Sequence, residues 1–184
     1  MKLTLLMAQT LDGRTAKSAD HFPDWTEPAD KKLFMTRTKE SGVMIFGRTT
    51  FETLPGVLPG RLTVVLSRNA GEWEAREENL VFTSLKPAEL LKKLESLGFE
   101  NPILAGGATV NTLFAQENLI DEILVTVSPK IFGDGLGLFA PEISLDLQLE
   151  KMEKIGEQTL ALLYTVKKGS SLVTTSRHFC PLGS

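Results

Sequence analysis

Short, nearly continuous apolar runs alternate with helix-patterned stretches along most of this chain, and few folds accommodate that order. The runs are LTLLMA (3–8), VMIF (43–46), LTVVLS (62–67), NLVF (79–82), PILA (102–105), EILVTVS (122–128) and TLALLYTV (159–166). Continuous rather than alternating apolar character marks strands buried on both faces. Residues 25–42 carry helix signals: Thr26 as a cap, Pro28 in the first turn, Glu27 and Asp30 near the start and Gly42 as the stop. GRTTFETL (47–54) opens a short helix straight from a strand end. PAELLKKLESLG (87–98) places Leu90, Leu91, Leu94 and Leu97 on one face, and TVNTLFAQ follows the fifth run. The expected fold is α/β, in three layers: a mostly parallel central sheet with helices on both faces and an antiparallel C-terminal edge.

The 184 residues suffice for one domain, read as 1–168, with 169–184 as a flexible or vector-derived tail. A net charge of −3 gives no general attraction to polyanions, so nucleic acid is not expected as a partner. One cysteine, Cys180, excludes an internal disulfide, and with only His21 and His178 a zinc cluster is excluded and no metal site is expected. The N-terminal run is broken by Gln9, Thr10 and Asp12, and no apolar stretch approaches the ~20 residues of a membrane span. A cytoplasmic protein, monomeric or homodimeric, with a small-molecule substrate is expected.

In a parallel sheet, ligands bind beyond the carboxyl ends of the strands. That directs attention to residues 8–12, 47–50, 67–68, 106–109 and 126–129. Asp30 shares a helical stripe with Leu33 and Phe34, while Lys31 and Lys32 point elsewhere. A carboxylate on an apolar face either supports the helix N-terminus or binds a cationic or amide-like ligand group. Gly47-Arg48-Thr49-Thr50 follows a buried strand, and such a turn is either a plain tight turn or an anion cradle. Arg61 and Arg68 lie at further strand ends. Gly106-Gly107 permits close backbone approach or an unusual peptide geometry, but GxGxxG is absent. Trp25 either covers the core or closes a pocket, and Thr126 is a strand former or a polar partner.

Five segments in series carry a family resemblance: MAQTLDGRTA, DWTEPADKKLF, VMIFGRTTFETL, LPGR and a strand ending in Ser67. In order and spacing the chain resembles the dihydrofolate reductase superfamily, which includes the reductase domain of riboflavin biosynthesis. The resemblance implies an NADPH-dependent reductase converting 7,8-dihydrofolate to tetrahydrofolate. It makes Asp30 the pocket carboxylate that bonds the pterin, Thr126 its hydroxyl partner and Trp25 the residue that closes the pocket over an ordered water. Leu6, Ala8, Phe34 and Leu54 would line the substrate site, and Arg61 would grip the glutamate carboxylate. Ala8, Gly47, Arg48, Thr49, Thr50, Ser67, Arg68, Gly106, Gly107, Ala108 and Thr109 would hold NADPH.

LIDEILVTVSPKIFGDGLGLF is instead similar to the riboflavin-pathway reductases, which implies the alternative substrate, a ribosylaminopyrimidine phosphate, or another pterin. The aspartate-containing loop of that branch has no counterpart in FETLPGVLPGR. Asn111 departs from the aromatic residue common in dihydrofolate reductases, and AKSADHFPD (16–24) departs from their usual lid. The weighting from sequence is two to one for dihydrofolate.

Overall fold

All seven expected strands are present, and two more join them, in a computed structural model that describes residues 1–19, 21, 24–140 and 143–168. The order is β1 (Thr4–Thr10), α1 (Pro28–Ser41), β2 (Val43–Gly47), α2 (Arg48–Glu52), β3 (Leu62–Leu66), β4 (Glu74–Glu77) and β5 (Leu80–Thr83). Then follow α3 (Pro87–Ser96), β6 (Ile103–Leu104), α4 (Ala108–Gln116), β7 (Glu122–Ser128), β8 (Leu147–Lys154) and β9 (Leu160–Val166). The described strands form one sheet in the order β4-β5-β3-β2-β6-β1-β7-β9-β8. From β5 to β7 every pairing is parallel, and β9 and β8 add the antiparallel edge expected at the C-terminal end.

Strand alternation sorts the core into two layers. Leu5, Val43, Ile45 and Val64 point to one face and pack with Leu90 and Leu94 of α3 and Phe114 of α4. Leu6, Met44 and Phe46 point to the other and meet Leu33 and Phe34 of α1 and Phe51 of α2. Helices therefore cover both faces, as the near-continuous apolar strands require.

Three expectations need correction. The sheet has a second antiparallel margin, β4 against β5, which EARE does not announce because three of its four residues are exposed. β8 was read as part of a loop, and it buries none of its residues. The cap of α1 is Glu27, not Thr26: Pro28 fixes the first helical position, and the Glu27 carboxylate bonds the Thr159 hydroxyl across the molecule instead of capping. Gly42 does stop α1, at φ 72°, with its N–H on Thr38 and Lys39 carbonyls. Residues 169–184 lie outside the described residues.

Candidate active site

Asp30 and Thr126 come together from elements far apart in sequence. Pro28 starts α1 with its φ already helical, which places Asp30 in the first turn. Thr126 sits on β7 opposite Ala8 of β1 and Ala161 of β9, two small residues that leave room above the sheet. Its hydroxyl, fully buried, donates to Asp30 Oδ1 at 2.5 Å. Asp30 itself is half-buried and lines a cavity of about 420 Å³ with Leu6, Ala8, Trp25, Phe34 and Leu54. The indole of Trp25 rests edge-on against Phe132 at 5.2 Å. Its Nε1–H is buried with no acceptor among the described residues, a donor available to a bound molecule.

The opposite wall is made of backbone. The Gly47 N–H donates to the Gly106 carbonyl at 2.7 Å, which ties the ends of β2 and β6 together. The Gly106–Gly107 peptide is cis, with Gly106 at φ 101°. A Cβ on Gly47 would come within 2.8 Å of Val110 Cγ2, and one on Gly107 within 2.6 Å of Thr50 Oγ1. These turns admit glycine alone without displacement of a neighbour, and they leave peptide groups bare beside the starts of α2 and α4.

A third wall comes from residues 15–19 and 136. Thr15 N–H and Oγ1 both donate to Leu136 O, and Ala16 and Leu136 form a bridge. Asp12 anchors the same pair of segments, accepting from Thr10 Oγ1 and from the N–H groups of Phe132 and Gly133. The Thr10 hydroxyl, helped by those N–H groups, holds the Asp12 carboxyl below its ordinary pKa. Glu27 is lowered likewise, chiefly by Thr159.

A carboxylate paired with a buried hydroxyl, an apolar slot and a glycine-built wall match the arrangement the resemblance implies. Residues 53–161 match the RibD C-terminal domain family, well over half of the 184 residues. The chain belongs to that family. This RibD-type domain is 26% identical over 196 residues to the riboflavin biosynthesis protein RibD of Aquifex aeolicus, covering 84% of this chain and 55% of that one. It thus spans about half the length of that relative. It is 30% identical over 168 residues to a putative dihydrofolate reductase of Caenorhabditis elegans, covering 84% and 82% of the two chains. In fold it superposes on dihydrofolate reductase from Enterococcus faecalis, solved in complex with NADP(H). The TM-score is 0.69 at 22% identity, over 90% of this chain and 96% of that one. The resemblance to the dihydrofolate reductase superfamily and the α/β fold expected from it both hold.

The RibD-type cavity gathers most of the expected substrate residues and only part of the expected cofactor set. Thr50, Gly107 and Ala108 line it, whereas Gly47, Gly106 and Thr109 stand behind them. Arg48 is exposed and donates to Glu52 at 2.7 Å on its own helix. Thr49, Ser67 and Arg68 lie outside the cavity lining.

Arg61 differs from expectation. It is only 4% exposed and absent from the cavity lining, with Nη1 on Met35 O and Thr38 Oγ1 and Nε on Pro59 O. Burial lowers its pKa from the ordinary value. Lys31, expected to point elsewhere, lines the cavity mouth, because the first turn of α1 stands at its rim. Sequence reasoning also missed Met7, His21 and Leu136 as lining residues. Met7 and Leu136 carry no polar signal, and His21 lies in a stretch without periodicity.

Proposed function

We propose that this chain is an NADPH-dependent reductase whose substrate carries a 2-amino-4-oxopyrimidine ring, bound through Asp30. The observation that carries the reading is the Asp30–Thr126 pair in an otherwise apolar cavity. An isolated carboxylate there is costly unless a ligand completes its hydrogen bonding. The amino group and adjacent ring N–H of such a pyrimidine present two donors side by side, which suit one carboxylate. Thr126 fixes the orientation of Asp30 before the ring arrives.

The glycine wall fits a phosphate-bearing cofactor, since added Cβ atoms would occupy the approach to it. Gly47, Thr50, Gly107 and Ala108 would hold NADPH nearest the cavity, with Arg48, Thr49, Ser67, Arg68, Gly106 and Thr109 around its phosphates. Bound there, NADPH supplies the hydride. The protein contributes orientation, an apolar surround and a carboxylate that favours protonation of the ring, which makes the carbon accepting hydride more electrophilic.

Two substrates carry this ring. The site itself puts dihydrofolate first: Phe34, Met35, Leu54 and Pro55 form an apolar wall suited to a benzoyl group. The second reading is a ribosylaminopyrimidine phosphate of riboflavin synthesis, and the comparisons support it more strongly than the first. The family match and the Aquifex relative point that way, and Lys31 and His21 in the lining offer charge complementary to a phosphate. The test is loss of NADPH absorbance with each acceptor in parallel. Saturable oxidation with one of them is expected and selects the substrate. No oxidation with either, while NADPH binds, would overturn the reading.

A further inference from the structure

β8 is the outermost strand of the sheet, paired on one side only, and every one of its eight residues is exposed. Its register against β9 slips between Leu149 and Lys151, so Glu150 is an extra residue, a β-bulge. Before the bulge Leu147 and Leu149 lie opposite Val166 and Tyr164, and after it Met152 lies opposite Leu162. Val166, Tyr164 and Leu162 are spaced by two and share one sheet face. The bulge thus places Leu147, Leu149 and Met152 on that same face, although 149 and 152 differ by an odd number. They are 38%, 52% and 64% exposed. A long proline-free edge with unpaired backbone groups and an apolar stripe is a surface that proteins cover or disarm.

We propose that a second copy of this chain covers it, with β8 pairing antiparallel to its own copy about a twofold axis between Glu150 and Lys151. Opposed residues of an antiparallel pair share a face. In this register Leu149 faces Met152 of the second copy, and the symmetric contact repeats it. Glu150 faces Lys151 of the second copy, twice, and Gln148 faces Glu153. Leu147 faces Lys154, whose aliphatic stem can lie along it. A regular strand could not join 149 with 152 in this way, because their side chains would point to opposite faces. The bulge removes that obstacle. Moving the axis onto Glu150 or onto Lys151 would set like charges opposite each other, which disfavours those registers. Lys151 already bonds Glu153 at 2.6 Å within its own strand, so a charge ladder on the second face continues across the axis. The pairing is isologous, as twofold dimers require.

The inference is independent of the substrate and is tested by sedimentation velocity on the full 184-residue chain. The expected species is two chains of 20.2 kDa each. Glu150→Lys sets like charges opposite each other at both symmetric positions and is expected to weaken the dimer about tenfold or more. The exchange Glu150→Lys with Lys151→Glu restores opposite charges and is expected to recover dimerisation to within about threefold of the original. Both positions are exposed, and circular dichroism verifies that each variant is folded. A monomer at all micromolar concentrations would overturn the proposal. A dimer indifferent to Glu150→Lys would place the contact elsewhere and overturn it too. Failure of the double exchange to rescue would overturn this register.

Discussion

The two main walls of the cavity are built by opposite means. The wall at α1 and β7 is specified by side chains: a carboxylate, a hydroxyl and an indole, each supplied by a different element. The wall at β2 and β6 is specified by their absence, at Gly47 and Gly107, where any Cβ would collide with Val110 or Thr50. The first wall can distinguish chemical groups, because donors and acceptors carry that information. The second distinguishes little beyond shape, but lets a backbone approach what a side chain would fend off. A substitution should therefore change chemistry on one wall and binding or packing on the other.

Asp30→Asn is the strongest challenge to this division. It keeps the volume and removes the charge, and turnover is expected to fall about 10²- to 10⁴-fold. NADPH affinity, read by fluorescence titration, should stay unchanged. A parallel loss of NADPH binding would show that the walls are not separable.

Gly47→Ala probes the other wall. Its Cβ would lie 2.8 Å from Val110 Cγ2, on a branched and buried side chain that has little room to yield. Overpacking of this kind costs about 1–3 kcal/mol, measurable by urea denaturation. NADPH affinity should fall while binding of a pterin ring is retained.

The smallest effect belongs to the third wall. Asp12 is held below its ordinary pKa by Thr10 and the N–H groups of residues 132 and 133. Its bonds therefore stabilise the fold above the unfolded carboxylate's titration range and are lost as pH falls through the lower folded value. Asp12→Asn should flatten this acid limb of the thermal midpoint while changing little at neutral pH. An unchanged slope would remove Asp12 as the anchor of that wall.

The legible parts of the fold were those that bury side chains. β7 appears at its expected bounds, residues 122–128, because it is flanked by neighbours on both sides and its apolar run is nearly continuous. β8 left no such trace: the bulge at Glu150 breaks its period of two, and an exposed strand places no demand on composition. Asp30 was legible as an acid sharing a face with Leu33 and Phe34. Its hydroxyl partner became visible only through resemblance, since 96 residues separate it from Thr126 and nothing local distinguishes a strand threonine. Arg61 illustrates the converse. Its place in LPGR was plain, but no pattern in the sequence shows that its guanidinium turns to the carbonyl of Met35 and the hydroxyl of Thr38.

The central claim is that Asp30 receives a 2-amino-4-oxopyrimidine ring, and it can be measured without turnover. Isothermal titration of 6-methylpterin, a ring with no charged tail, would compare the protein and its Asp30→Asn variant, each saturated with NADPH. The account predicts that the variant binds the ring at least about tenfold more weakly, the scale of a lost charge-assisted hydrogen bond. Equal affinity in the two proteins would contradict it.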